Sequence, residues 1–170
     1  APGNIGAGRR DTLKLDFLFP LDGIGLHHGQ IRASLQWQHS RVTDPVTGNT
    51  RPISEEKPVD GDITLSQDLP AWRMNWGITL EHIAERKTQY RYDEIKRESE
   101  GMGWTLFVER RLGDHWRLRA EATDLFGRGF VERREKYDGP RSRGVSDGSE
   151  RRDRTTPGYV GLTFRRSTGG

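Results

Sequence analysis

The alternation of apolar and polar side chains is the feature that most constrains how this chain can fold. From Trp116 to Thr123, apolar side chains alternate with charged or polar ones. Successive side chains of a β-strand point to opposite faces, so a period of two predicts a strand with one apolar and one wet face. The same period recurs along most of the sequence. The chain is therefore expected to be all-β.

Seven stretches carry this alternation, and each is predicted to be a strand. They cover about residues 10–19, 30–41, 59–69, 72–84, 101–111, 116–123 and 159–165, whereas residues 1–9 are rich in glycine and are expected to be irregular. One face of the sheet should carry Leu15, Leu35, Ile63, Ile78, Leu106, Leu118 and Leu162. The other face should carry Arg32, Asp62, Glu81, Glu109 and Arg119. A register slip of one residue would exchange the two sets.

The connections between these strands alternate in length. Short turns lie near 21–29, 70–71 and 112–114, while long polar segments, expected to be loops, lie near 42–58, 85–100 and 127–156. Outer-membrane barrels have tight turns on one rim and long loops on the other, and strands of about ten residues cross a bilayer when tilted. We therefore expect an antiparallel up-and-down meander of about seven strands, part of a transmembrane β-barrel, with no helix longer than about two turns.

The composition agrees with a barrel better than with a layered core. Only 31% of the residues are hydrophobic, and 31% are charged. A barrel tolerates this, because only alternate residues face lipid. No run approaches the roughly 18 apolar residues of a membrane helix. The 28 basic and 25 acidic residues are interleaved in sign, which argues against a nucleic-acid interface, and the lack of cysteine excludes disulfides and thiolate metal sites.

The sequence contains no constellation typical of catalysis or metal binding. Its five histidines are scattered, and none stands in a His-Glu-x-x-His spacing. Asp60 and Asp62 share a strand face, as a general-acid/base pair would, but a charged wall explains them more simply. We expect no catalytic residue, no metal site, no cofactor and no enzymatic activity.

The arginine-rich segment 127–156 holds the candidate binding residues. Arg133, Arg134, Tyr137 and Arg141 are the predicted substrate-binding residues, because guanidinium groups beside an aromatic ring can bind an anionic ligand. The more frequent alternative is that these side chains hold the loop together or face lipopolysaccharide.

Several short passages resemble TonB-dependent outer-membrane receptors in order and spacing. The step Asp124–Arg128 is similar to an "Asn-Leu-Phe-Asp" signature near the end of such receptors. Further similar passages are Arg9-Arg10, Pro20–Asp22, Arg41–Gly48 and Tyr137–Pro140. The resemblance spans nearly the whole chain. It implies that residues 1–170 form the C-terminal portion of a receptor β-barrel, with the plug domain and the earlier strands absent from the chain.

The resemblance also implies a function and partners. Such a barrel, in the bacterial outer membrane, takes up a scarce nutrient: a siderophore, a cobalamin-like cofactor or an oligosaccharide. Its partners would be this nutrient, outer-membrane lipid and lipopolysaccharide, and TonB through the missing N-terminal part, with no nucleic acid. The alternative is a small self-contained β-barrel or sandwich that binds a ligand or glycan in solution. Dependence on detergent separates the two, because only the receptor segment should aggregate without it.

Overall fold

The protein is all-β in the computed structural model, which describes residues 6–166. Its helices in that range are three single turns of 3₁₀ helix, Asp22–Ile24, Pro70–Trp72 and Arg141–Arg143, so the expectation of no long helix is confirmed there. The twelve strands are β1 Gly8–Pro20, β2 Gly29–Thr43, β3 Thr50–Arg51, β4 Val59–Leu69, β5 Met74–Glu81, β6 Arg86–Tyr90, β7 Glu94–Glu100, β8 Gly103–Leu112, β9 Trp116–Thr123, β10 Arg128–Tyr137, β11 Ser146–Thr156 and β12 Tyr159–Arg166.

The seven predicted strands form one sheet, called here the main sheet. Its order is β1-β2-β4-β5-β8-β9-β12, with the two-residue β3 added at the end of β2. Every neighbouring pair is antiparallel. The predicted meander is therefore confirmed. The sheet is open, with β1 and β12 as its two edges, and it does not close into a barrel.

Two of the predicted long loops are in fact strands, so the expected number of seven strands was wrong. Residues 85–100 contain the hairpin β6–β7, and residues 127–156 contain the hairpin β10–β11. The hairpins pair through β7 and β10 into a second sheet of order β11-β10-β7-β6. More than half of the residues in these four strands are charged and few are apolar, so hydrophobic periodicity could not reveal them.

The strand ends differ from prediction in two places. Of the segment 1–9, residues 1–5 lie outside the described range, but Gly8 and Arg9 already pair with Val42 and Arg41 and are not irregular. The predicted strand 72–84 is shorter, because Pro70–Trp72 forms a 3₁₀ turn before it. Arg73 closes that turn in the left-handed conformation, with a φ of 50°.

The predicted sidedness of the main sheet is confirmed by the register. Leu15 lies opposite Leu35, and Ile78 lies opposite Leu106, and residues that face each other across antiparallel strands share a face. The same reasoning places Ile63, Leu118 and Leu162 with them, and Arg32, Asp62, Glu81, Glu109 and Arg119 on the other side. We call these the apolar face and the polar face.

The apolar face is not covered by a second layer of the described chain. Leu13 is 64% exposed, Leu106 is 41% exposed and Leu162 is 73% exposed. The fully buried apolar residues are few, namely Leu21, Ala33 and Val42. None of the helices described is long and apolar enough to span a membrane. The sheet is thus stabilised by backbone pairing and contacts within its faces, and a large apolar surface remains open.

Phe107 is the aromatic exception on the polar face, and its neighbours explain it. It lies directly opposite Gly77, where a Cβ atom would come within 2.8 Å of the Phe107 ring. The guanidinium of Arg119 lies 4.1 Å from the ring centroid on the next strand. An aromatic ring over a strand glycine fills the gap that the missing side chain leaves, and the cation shields the ring from water.

A side chain at position 77 is expected to destabilise the main sheet. In Gly77→Ala the new methyl meets both the Phe107 ring and the Leu65 carbonyl oxygen, at 2.7 Å from the latter. We expect a loss of about 1–3 kcal/mol in the free energy of unfolding, measured by urea denaturation in detergent. The matched control is Gly129→Ala, where a Cβ meets nothing within 4 Å. Equal stability of the two variants would contradict the packing of Phe107 on Gly77.

Candidate functional site

The candidate site lies at the end of the main sheet from which the long connections emerge. Thr43, Glu81 and Thr123 end β2, β5 and β9 at this end, and the short turns lie at the opposite end. The three connections that follow these residues meet there. The first contains β3 and the segment 52–58, and the other two contain the hairpins β6–β7 and β10–β11 of the second sheet.

The second sheet has two faces of different character. On one face, which we call the network face, Glu132 is 5% exposed. Its carboxylate accepts a hydrogen bond from Arg134 at 2.8 Å and lies 3.2 Å from the Lys96 ammonium, which also bonds Glu98. Burial alone would raise the pKa of Glu132, but the bonds from Arg134 and Lys96 outweigh it and hold that pKa below its usual value. Alternating charges thus stabilise these strands where apolar pairs do so in the main sheet.

A buried ion cluster joins the three long connections. We call it the Asp44 cluster, after a carboxylate that is 1% exposed. Asp44 Oδ2 accepts hydrogen bonds from Arg51 Nε at 2.7 Å and from an Arg141 terminal nitrogen at 2.6 Å. Its Oδ1 accepts the Val46 backbone N–H at 2.8 Å. The Arg51 guanidinium lies 4.5 Å from the centroid of the Tyr90 ring.

The members of the Asp44 cluster come from all three long connections. Asp44 follows β2 and Arg51 ends β3 in the first connection, Tyr90 ends β6 in the second, and Arg141 follows β10 in the third. Arg141 Nε also donates to the Arg91 carbonyl oxygen. The hydrogen bonds that Asp44 accepts from Arg141, Val46 and Arg51 outweigh the effect of burial and lower the pKa of its carboxyl group to about 2. The cluster therefore fixes the second sheet relative to β2.

The predicted binding residues do not converge on one point. Arg141 is buried in the Asp44 cluster, and Arg134 bonds Glu132 on the network face. The Tyr137 hydroxyl donates to Glu135 at 3.4 Å. Arg133 is exposed and lies on the other face of the second sheet, which we call the groove face. Arg133 borders an open cavity.

A groove of about 520 Å³ runs between the groove face and the segment 52–58. Pro52, Ile53 and Pro58 form its apolar wall, and Glu56 also lines it. Hydrogen bonds hold this wall against β6: the Glu55 N–H donates to the Thr88 carbonyl, and the Tyr90 N–H donates to Ser54. A concave apolar wall beside charged groups is typical of a ligand pocket.

One of the five histidines, His82, lies in a cluster of possible metal ligands that the sequence did not reveal. Atoms of Asp60, His82 and Glu85 lie within 4.8 Å of one another, as metal ligands would. Lys57 Nζ, however, lies 2.8 Å from Glu85 and 3.4 Å from Asp60, where it supplies the positive charge. The bond to Glu85 raises the pKa of Lys57. The group is thus a satisfied ion network, and its members are too far apart in sequence to form a local motif.

The other polar candidates of the sequence are not members of this cluster. Asp62 lines a depression of about 600 Å³ on the polar face, together with Arg32 and Asp60. His27 lies 3.9 Å from Asp22 in a short turn. His39 accepts a hydrogen bond from Arg41 on β2. The structure therefore brings no further histidine, within residues 6–166, into a shared cluster of metal-ligand type.

Removing the charge of Asp44 is expected to destabilise the protein strongly. In Asp44→Asn, two buried guanidinium groups lose their counter-ion, and we expect a loss of about 3–5 kcal/mol in unfolding free energy. The control Asp153→Asn removes an exposed partner of Arg151, at 3.0 Å, and should cost less than about 1 kcal/mol. Urea denaturation measures both, and similar losses would contradict a structural role for the Asp44 cluster.

Asp44 should also give the stability a specific pH dependence. Its pKa is about 2 in the folded protein, below the ordinary value of 3.8, so its contribution is present above pH 4 and is lost as the pH falls towards 2. The shift corresponds to about 2 kcal/mol. The wild type should lose that much more stability than Asp44→Asn between pH 4 and pH 2. Parallel curves for the two proteins would show that Asp44 is not held as a buried anion.

No protein-family model, curated protein or solved structure matches this chain.

Proposed function

We propose that this chain forms part of the wall of a TonB-dependent outer-membrane receptor, which takes up a scarce nutrient across the bacterial outer membrane. The main sheet would cross the bilayer with its apolar face on lipid. The second sheet and the Asp44 cluster would stand outside the cell. The observation that carries the proposal is the apolar face, which extends over all seven strands of the main sheet. It is exposed on β1, β8 and β12 and half-buried on β4 and β5.

The height of the apolar face suits a bilayer. On β8 it runs from Trp104 to Leu112, and eight residue steps of about 3.4 Å span about 27 Å along the strand. A tilt of about 40° reduces this to about 21 Å, close to the roughly 25 Å apolar band of outer-membrane barrels. Arg110 also lies on this face, near the short turns, where a long side chain can reach the interface.

Aromatic side chains mark both ends of this band. Near the short turns, the rings of Trp116 and Phe164 stack with centroids 4.5 Å apart, and Trp72 is 65% exposed. Near the long connections, Trp104 lies 5.7 Å from Phe126. Tryptophan is enriched at membrane interfaces, because its ring is apolar and its N–H is polar. Two such groups, one at each end, support a membrane-crossing sheet.

The polar face supports a wet lumen. Thr64 bonds Thr79 across β4 and β5, and Thr105 bonds Thr123 across β8 and β9, both at 3.1 Å. Arg119 and Glu121 form an ion pair on the same face at 3.1 Å. In a barrel such residues would line the passage, as polar residues do in outer-membrane barrels.

The partners follow from the same proposal. Outer-membrane lipid would contact the apolar face, and lipopolysaccharide the rim of the long connections. A siderophore, a cobalamin-like compound or an oligosaccharide would enter from that rim. TonB would act through the plug domain of the receptor. The alternative, a small soluble barrel or sandwich, would need a second layer over the apolar face, and the second sheet leaves that face exposed.

Spin labels on one strand test the proposal. Leu118 and Arg119 are neighbours on β9 but lie on opposite faces. In lipid vesicles a nitroxide at position 118 should relax faster with oxygen, which concentrates in lipid. A nitroxide at position 119 should respond to a water-soluble nickel complex. Equal exposure of both labels to the nickel complex, or a protein that stays monomeric without detergent, would favour the soluble alternative.

A further inference from the structure

Three arginines stand side by side on the groove face of the second sheet. The register pairs Arg133 with Arg97 of β7 on one side and with Arg151 of β11 on the other. Directly opposed side chains have Cβ atoms about 4.5–5.5 Å apart, and like charges in that position destabilise a sheet. A row of three cations across adjacent strands therefore requires negative charge nearby.

The chain supplies that charge only to the outer two. Arg97 forms an ion pair with Glu135, and Arg151 forms one with Asp153 at 3.0 Å. Arg133, in the middle of the row, has no ion pair within residues 6–166. Arg86, which also lines the groove, has none in that range either. The row thus retains an excess of positive charge at its centre.

On the network face of the same sheet, single carboxylates are shared between two cations. There, Lys96 and Arg134 both contact Glu132. Lys136 and Arg152 both approach Glu150, at 3.8 Å and 3.6 Å. The cations of the network face thus lie against carboxylates, except Arg154, whereas on the groove face the unpaired Arg133 lies between two further arginines and beside a cavity.

A second observation at the groove also indicates a ligand. Glu56 is 5% exposed, and its Oε2 is buried without a hydrogen-bond partner. Three other side-chain atoms share this condition, on Glu94, Arg128 and Glu150, but each lies 3.6–3.8 Å from an ion-pair partner. Glu56 has no such partner among the described residues. A buried oxygen without a partner is costly, so a ligand that donates a hydrogen bond there would relieve it.

We infer that the groove between the segment 52–58 and the groove face binds a small polyanion. Such a ligand carries two or more carboxylate or phosphate groups and at least one hydroxyl or ammonium donor. The guanidinium groups of Arg97, Arg133 and Arg151 bind its anionic groups, since their planar forks match both chemistries. Glu56 accepts its donor. The inference goes beyond the proposed function, because it concerns the second sheet and the segment 52–58 and holds whether or not the apolar face contacts lipid.

Calorimetric titration with inorganic pyrophosphate tests the arginine row. The full chain in detergent should bind pyrophosphate, and Arg133→Gln should weaken binding at least tenfold. The matched control is Arg154→Gln, which removes the same charge from the network face of β11, opposite Phe130. The control should change binding less than twofold. Equal weakening in both variants would overturn the site, because it would reveal only long-range attraction.

Thermal melting gives a readout that does not depend on titration. Without added anion, Arg133→Gln should melt at a higher temperature than the wild type, because the substitution removes repulsion within the row. Added pyrophosphate should raise the melting temperature of the wild type and not that of the variant. A lower melting temperature for the variant without anion would contradict the repulsion on which the inference depends.

Malate and succinate test the role of Glu56, since both are dianions and only malate has a hydroxyl group. Malate should bind several-fold more tightly to the wild type, and Glu56→Gln should reduce that preference. Equal binding of the two acids to the wild type would refute a donor-accepting role for Glu56.

Phosphate of a lipid headgroup is the other source of the same chemistry. Vesicles containing phosphatidic acid should compete with pyrophosphate if the groove takes headgroups, and they should leave its binding unchanged if it takes a free anion. If the wild type does not bind pyrophosphate while its spin labels report lipid contact, the groove proposal is wrong and the membrane proposal stands.

Discussion

An apolar sheet face without a covering layer is the constraint on which the rest of this structure depends. Leucines from seven antiparallel strands share that face, and Leu106, Leu13 and Leu162 on it are 41%, 64% and 73% exposed. A sheet in water normally buries such a face against a second layer. Here the described chain provides none, and the only fully buried apolar residues are Leu21, Ala33 and Val42. Contact with a lipid bilayer would supply what the chain lacks, and for that reason we propose a membrane-crossing wall.

Ion pairs stabilise the second sheet and its attachment to the main sheet. The second sheet is stabilised by alternating cations and anions around Glu132, and the Asp44 cluster attaches it to the end of β2. The bonds from Arg51 and Arg141 hold Asp44 ionised despite its burial. Rigid attachment matters for function, because a binding groove keeps its affinity only when its walls are ordered in advance. One wall of the groove beside Arg133 is the segment 52–58 and the other is the second sheet. The Asp44 cluster joins these two parts of the chain.

The sequence was sufficient for the main sheet and insufficient for the second. Alternation of leucine with charged residues predicts the seven strands and the face of Leu118, because a register slip of one residue would move every side chain to the other face. In β7 and β10 many residues are charges of opposite sign. Hydrophobic periodicity cannot reveal a strand of this composition. The sequence predicts Arg141 as a binding residue, but it does not reveal the ion pair with Asp44, which is 97 residues away. The groove depends equally on Glu56 and Arg133, which no local motif connects.

Quenching of the native tryptophans by brominated lipids tests the central claim most directly. Trp37, Trp76, Trp104 and Trp116 all lie on the apolar face, and Trp72, the only other tryptophan, lies in a short turn. No substitution is needed. The account predicts strong quenching in vesicles of lipids brominated along the acyl chains, and weak quenching by acrylamide in water. Strong quenching by acrylamide with none by the brominated lipids would contradict a lipid-facing sheet.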